Sequence, residues 1–189
     1  MITLTEGALT FSFPVTWAVS KYDGTEFYRR PITRTGADLA AVDFAVVPSG
    51  PDRELLLIEV KDFRDHEVAN RYRLRSGELA VEIARKALHT LAALAVAPLT
   101  NPVELRPLLA AVAPVPDAIR VVLLMEEDAL PVVSRTGQLS TANKIVLDSR
   151  LKLRDALADD LMRKLKPLGI KTAVYDAATV PVRAGWSVR

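Results

Sequence analysis

Between Ala41 and Phe63 the chain reads AVDFAVVPSGPDRELLLIEVKDF, two apolar runs joined by the turn-forming cluster Pro48-Ser49-Gly50-Pro51-Asp52-Arg53. Such a pattern predicts a β-hairpin, with strands over 41–47 and 55–60. Each run carries charge where a strand core normally excludes it. Asp43 interrupts the first, and Glu59 with Lys61 closes the second. Carboxylates and ammoniums are costly to bury unless they are paired, hydrated or bound to a metal. That cost marks the hairpin as the place to look for a site.

Every second residue of a strand shares a face. Leu57, Glu59 and Lys61 therefore lie on one side of the second strand, and Leu56, Ile58 and Val60 on the other. In the first strand Asp43 shares its face with the small residues Ala41 and Ala45, opposite the bulkier Val42, Phe44 and Val46. Pairing Asp43 with Glu59 gathers two acids and a lysine on one patch, whereas pairing Asp43 with Ile58 sends Glu59 to the opposite face. The sequence leaves both registers open.

The chain has 189 residues, 50% hydrophobic and 25% charged, enough for one domain with a sizeable core. It has no cysteine, so disulfides and thiolate metal sites are excluded, and two histidines make a poor zinc set. Hard, oxygen-bound cations remain. A net charge of +2 and a pI near 9.0 give only slight support for a nucleic-acid partner. The N-terminus MITLTEGALTF lacks the basic and apolar regions of a signal peptide, and the apolar stretch 87–99 is short and contains His89. The expectation is a cytoplasmic protein with no membrane partner.

In chain order, ALTFSF over 8–13 predicts a half-buried strand ended by Pro14. The segment 17–30 reads as irregular to partly helical and holds Asp23 and Glu26; Arg29, Arg30 and Arg34 follow. After Lys61, 62–76 reads as a loop with short ordered pieces, carrying Arg64, Arg71 and Arg73. Ser76 with Glu78 and Glu82 begins a long buried helix over 77–96, whose Arg85, Lys86 and His89 read as polar positions reaching to solvent. Prolines restrict 103–112 to a short helix. A buried strand is expected over 118–125, ending in the acidic Glu126-Glu127-Asp128, which reads as a solvated strand end. Then come a loop or small hairpin over 130–140, an unclassified 144–147, an amphipathic helix over 149–165 stopped by Gly169, a strand over 170–176, and a partly ordered tail from Val180.

This order is a mixed α/β layer pattern. Asp43 on one strand, Glu59-Val60-Lys61 on the next and then a long helix resemble the PD-(D/E)xK superfamily, the restriction-endonuclease-like nucleases; KYDGTEFYRR, VDF and IEVKDF resemble a bacterial branch of it. The resemblance spans roughly residues 20–125, with 149–176 as a C-terminal helix–strand extension of one domain. It implies a central mixed β-sheet flanked by helices and an Mg²⁺- or Mn²⁺-dependent endo- or exonuclease. In that reading Asp43, Glu59 and the Val60 carbonyl hold the metal, Lys61 stabilises the attacking water and the transition state, and Asp23 or Glu26 supplies a further acid. Arg29, Arg30, Arg34, Arg64, Arg71 and Arg73 become candidate contacts to nucleic acid, DNA in the first place. Two other expectations compete with it: a catalytically inactive binding or regulatory module on the same scaffold, and an interaction protein that forms a homodimer through its leucine-rich helices.

Overall fold

The computed structural model describes residues 1–36, 38–132 and 138–189, with the backbone alone at 67–70. In chain order the elements are β1 Ile2–Glu6, β2 Leu9–Phe13, β3 Ala18–Lys21, two helical turns Tyr22–Gly24 and Tyr28–Ile32, α1 Thr33–Thr35, β4 Phe44–Val47 and β5 Glu54–Asp62. There follow α2 Glu67–Ser76, α3 Glu78–Thr100, α4 Arg106–Val112, β6 Ala118–Glu126, α5 Thr141–Leu165, β7 Lys171–Tyr175 and β8 Ser187–Val188. The architecture is mixed α/β. A five-stranded mixed sheet runs in the order β3-β4-β5-β6-β7, antiparallel across its first two junctions and parallel across the last two. A second, three-stranded sheet runs β1-β2-β8.

Strand alternation builds the two faces of the large sheet. Ala45, Val47, Leu55, Leu57, Val121 and Leu123 pack on one side against α3, α4 and α5, whose buried residues include Leu79, Ile83, Leu108, Leu157 and Leu161. Phe44, Val46, Leu56, Ile58, Val122 and Leu124 pack on the other side against Leu9, Phe11, Phe13 and Trp186. β5 and β6 are thus covered on both faces, as the parallel part of a sheet requires, and this explains their unbroken apolar runs. The long α3 buries a stripe and ends at Asn101, whose N–H bonds the Ala97 carbonyl.

Several segments differ from expectation. The stretch expected to be a loop before α3 contains α2, whose composition shows little apolar periodicity because only Leu74 is buried among its described side chains. Gly77, with φ of 76°, turns α2 into α3, a conformation a side chain would resist. α5 begins at Thr141, eight residues before the expected start at Ser149: Ser140 accepts the Asn143 N–H as its cap, and the first two turns are mostly exposed. β1 is hidden in the sequence because none of its side chains is fully buried, yet it pairs with β2 along its full length. β3 is a four-residue edge strand inside the stretch expected to be irregular. The tail is ordered: Trp186 is buried with its ring centroid 6.0 Å from Phe13 and 6.1 Å from Phe11, and Thr10 and Arg189 exchange backbone hydrogen bonds of 2.8 and 3.0 Å. Val132 bridges Leu139, while 133–137 lie outside the described residues. Among the described residues no helix is long and apolar enough to cross a membrane.

Candidate functional site

The register of the hairpin decides between the two pairings open to the sequence. Phe44 pairs with Ile58, Ala45 with Leu57 and Val46 with Leu56. One step further along the same register sets Asp43 opposite Glu59. Regular pairing stops there: the Asp43 carbonyl accepts from Tyr22 N at 2.8 Å, while its side chain turns to β5, where Oδ2 accepts the Val60 N–H at 2.6 Å. The carboxylate stands in for a ladder bond. Since both main-chain polar groups of a strand residue point to the same side, the Val60 carbonyl also faces the opening beside β4.

Glu59 is fully buried. Its Oε1 receives Lys61 Nζ at 2.9 Å and Lys86 Nζ at 2.6 Å, and its Oε2 has no hydrogen-bond partner. Lys61 also donates to Glu82 Oε1 at 2.9 Å, and Glu82 pairs in turn with Arg73 of α2. Glu82, Lys86 and Thr90 recur every four residues on α3, so the helix presents a polar row to the hairpin. Thr90 completes the row by accepting the Val42 N–H at 3.2 Å. His89, one residue earlier, accepts the Ala40 N–H at 3.2 Å, a packing role.

A second set of acids adjoins Asp43. One carboxylate oxygen from each of Glu6, Asp23 and Asp43 lies within 4.8 Å of the others. Glu6 is the last residue of β1, Asp23 follows β3 and Asp43 precedes β4, so three strand ends converge. Lys21 braces Glu6 at 2.9 Å and donates to the Thr5 carbonyl at 2.8 Å, and Asp23 Oδ1 is buried without a partner. Oxygens that share one Mg²⁺ lie at most about 4 Å apart and those that share one Ca²⁺ about 5 Å; three carboxylates are a donor set of the kind hard cations take.

Electrostatics follow from this crowding. Burial, then the charge of Glu59, pushes the Asp43 carboxyl up to about 7 against the pull of the Val60 N–H and Lys86. Burial and Glu6 likewise raise Asp23, with Lys21, Arg29 and Lys86 opposing. Burial alone would lower Lys61, but Glu59 and Glu82 outweigh it and hold the ammonium above its usual value. Glu82 is held low despite burial because Lys61 and Arg73 face it. Lys61 is therefore a firm cation rather than a base.

At this end of the sheet Asp43 meets Val60 through its N–H and Asp23 through the cluster with Glu6, while Glu59 meets Lys61 and lies outside that carboxylate cluster. Glu26 does not join them; it is exposed and pairs with Arg30 at 3.5 Å. Arg29 reaches the rim, donating to the Asp23 carbonyl at 3.1 Å, and Arg34 is exposed on α1. Arg64 is held by Asp62 at 2.5 Å and Arg73 by Glu82, so these two serve intramolecular pairs; Arg71, on α2, lines a cavity with Leu74 and Glu127. Sequence reasoning missed Glu6 and read Lys86 as a position reaching to solvent, whereas it turns inward onto Glu59. Nothing local singles out Glu6, because its neighbours in the site come from other strands. Lys86 had a signal, lying one helical turn beyond Glu82 on the same side of α3. Comparisons with family models, curated proteins and solved structures give no significant match to this chain.

Proposed function

We propose that this chain is a metal-dependent nuclease on a restriction-endonuclease-like scaffold, hydrolysing nucleic-acid phosphodiester bonds. The observation that carries the reading is the hairpin register, which sets Asp43 opposite Glu59 while Lys61 lies on the Glu59 carboxylate. Asp43, Glu59 through its partnerless oxygen and the Val60 carbonyl would hold Mg²⁺ or Mn²⁺, with Asp23 as the added acid. A bound cation there supplies a more acidic water and neutralises charge growing on the phosphoryl group. Asp43 is fixed for this role by the Val60 N–H, which orients its carboxylate without using both oxygens. Glu59 is fixed by two ammoniums on one oxygen. Lys61, kept cationic by its neighbours, offers electrostatic stabilisation to a pentacovalent phosphate.

The test is incubation of the purified protein with duplex and single-stranded DNA and with RNA, with and without Mg²⁺ or Mn²⁺. Metal-dependent cleavage that disappears in Asp43→Ala and Lys61→Ala is the expected result; no cleavage, or cleavage indifferent to both, overturns the reading.

A second reading rests on one specific observation. With Lys61 and Lys86 both on Glu59, the glutamate is neutralised from within, as it would be in a binding or regulatory module that kept the scaffold. Titration calorimetry with Mn²⁺ separates the two: heat of binding that is lost in Asp43→Ala favours the nuclease, and no heat favours the module.

A further inference from the structure

Helix α2 leaves β5 just after Lys61 and packs against α3 and α5. Leu74 fixes its orientation by turning into the core. At 100° per residue, Tyr72 then points nearly opposite Leu74, and Arg75 lies within about one sixth of a turn of Tyr72 on the outer face. Tyr72 is 70% exposed, an unusual position for a large aromatic ring, and Arg71 and Arg75 are exposed with it. Arg73 faces the other way and grips Glu82, whose second oxygen holds Lys61. The exposed ring and arginines are therefore tied to the site through two ion pairs. On the β3 side Arg29 lies at Asp23, with Arg34 exposed beyond it. The acids are flanked by arginine on both sides.

The geometry points to α2 as a binding platform for single-stranded nucleic acid, with a base stacked on Tyr72, a phosphate at Arg75 and the adjoining backbone led toward Asp43 and Glu59. The inference rests on the nuclease reading for the direction of the strand and goes beyond it in naming unpaired substrate. An aromatic face accepts any base, and guanidiniums beside it neutralise the phosphates between bases. A duplex keeps its bases stacked on each other and offers Tyr72 nothing to bind. Helix dimerisation would instead want an apolar surface here, and this face carries Arg75 beside the ring.

The experiment is fluorescence anisotropy with a short labelled single-stranded DNA, the RNA of the same sequence and the DNA duplex, in Ca²⁺ and in EDTA, using the full chain. Both single strands are expected to bind more tightly than the duplex. Tyr72→Ala should weaken single-strand binding about fivefold or more, with Tyr72→Trp restoring it. Arg75→Ala should make the dependence of log affinity on log salt shallower by about 0.7. Because these side chains are exposed, the variants keep the wild-type melting temperature, so a loss of binding reports contact and not folding. Equal or tighter binding of the duplex, binding unchanged in Tyr72→Ala, or no binding of any oligonucleotide overturns the inference. Tyr72-dependent binding without metal-dependent cleavage supports the platform and removes the nuclease; cleavage with Tyr72-indifferent binding does the reverse.

Discussion

Replacing Asp43 by asparagine is expected to stabilise the metal-free protein. The side chain is 8% exposed, and burial together with Glu59 pushes its carboxyl up to about 7, against about 3.9 in the unfolded chain. At 1.36 kcal/mol per pKa unit, holding the carboxylate ionised in this place costs about 4 kcal/mol at alkaline pH. Asparagine keeps an oxygen for the Val60 N–H, whose preference for the carboxylate is already contained in that raised value, so the net gain is about 4 kcal/mol. Its pH dependence is the signature. A carboxyl raised in the folded state binds more protons folded than unfolded between about pH 4 and 7, so wild-type stability falls as pH rises through that window and then levels. The advantage of Asp43→Asn should be near zero at about pH 4, grow through the window and be complete above about pH 7. Urea unfolding in EDTA across this range measures it. A variant less stable than wild type at pH 8, or a gain of equal size at pH 5 and pH 8, would refute the electrostatic account of the site.

Lys86→Met leaves Glu59 with Lys61 alone and should cost about 2 kcal/mol, the worth of a hydrogen bond to a charged group; an unchanged urea midpoint would mean that the α3 lysine adds nothing. Trp186→Ala removes the ring that stacks between Phe11 and Phe13 and should cost about 3 to 5 kcal/mol in the same assay; a loss under 1 kcal/mol would show that the tail does not close the small sheet. Asp176, although burial opposes it, is held below its usual value by Arg154 at 2.5 Å and by Thr179. A depressed carboxyl contributes stability above its unfolded value that is lost as pH falls through its folded one. Asp176→Asn should therefore be destabilised by about 1 kcal/mol at pH 7, and the difference should shrink as pH falls below the ordinary carboxylate range; a difference that does not shrink in acid would refute the assignment.

The legible parts of this fold are those whose side chains face one uniform environment. β5 and β6 read clearly because both faces are buried, and α3 because its apolar stripe runs for most of its length. β1, α2 and the first turns of α5 did not, since each is held by partners distant in sequence: β1 by its ladder to β2, α2 by Leu74 and the Arg73–Glu82 pair, and α5 by the Ser140 cap. The candidate site divides the same way. Asp43, Glu59 and Lys61 stood out because charge inside an apolar run is costly wherever the chain goes. Glu6 sits in a strand with no fully buried side chain, where an acid costs nothing locally, and only the convergence of three strand ends brings it to Asp43.

That convergence explains why an acid at position 43 is compatible with folding. Inside a complete ladder Asp43 would face β5 as an unpaired charge, and the expected result would be a slip that turns it outward. Here the ladder ends at Phe44, and the carboxylate itself accepts the Val60 N–H, so the strand loses no hydrogen bond by ending. Phe44 and Ile58, both fully buried beside this point, hold the register, because a one-residue slip of either strand would take its large side chain out of the cluster with Phe11, Phe13 and Trp186 and turn it to the face the helices already fill. Hydrophobic burial thus fixes the position of a charge it would otherwise exclude. That charge belongs to a set of four carboxylates, from Glu6, Asp23, Asp43 and Glu59, set against three ammoniums, from Lys21, Lys61 and Lys86. The ammoniums are distributed unevenly: two share one oxygen of Glu59 and the third braces Glu6, while oxygens on Asp23 and Glu59 are left buried and without a partner. A purely structural salt-bridge network gains most when every buried oxygen is matched, and the unmatched oxygens of Asp23 and Glu59 are where this network falls short of that.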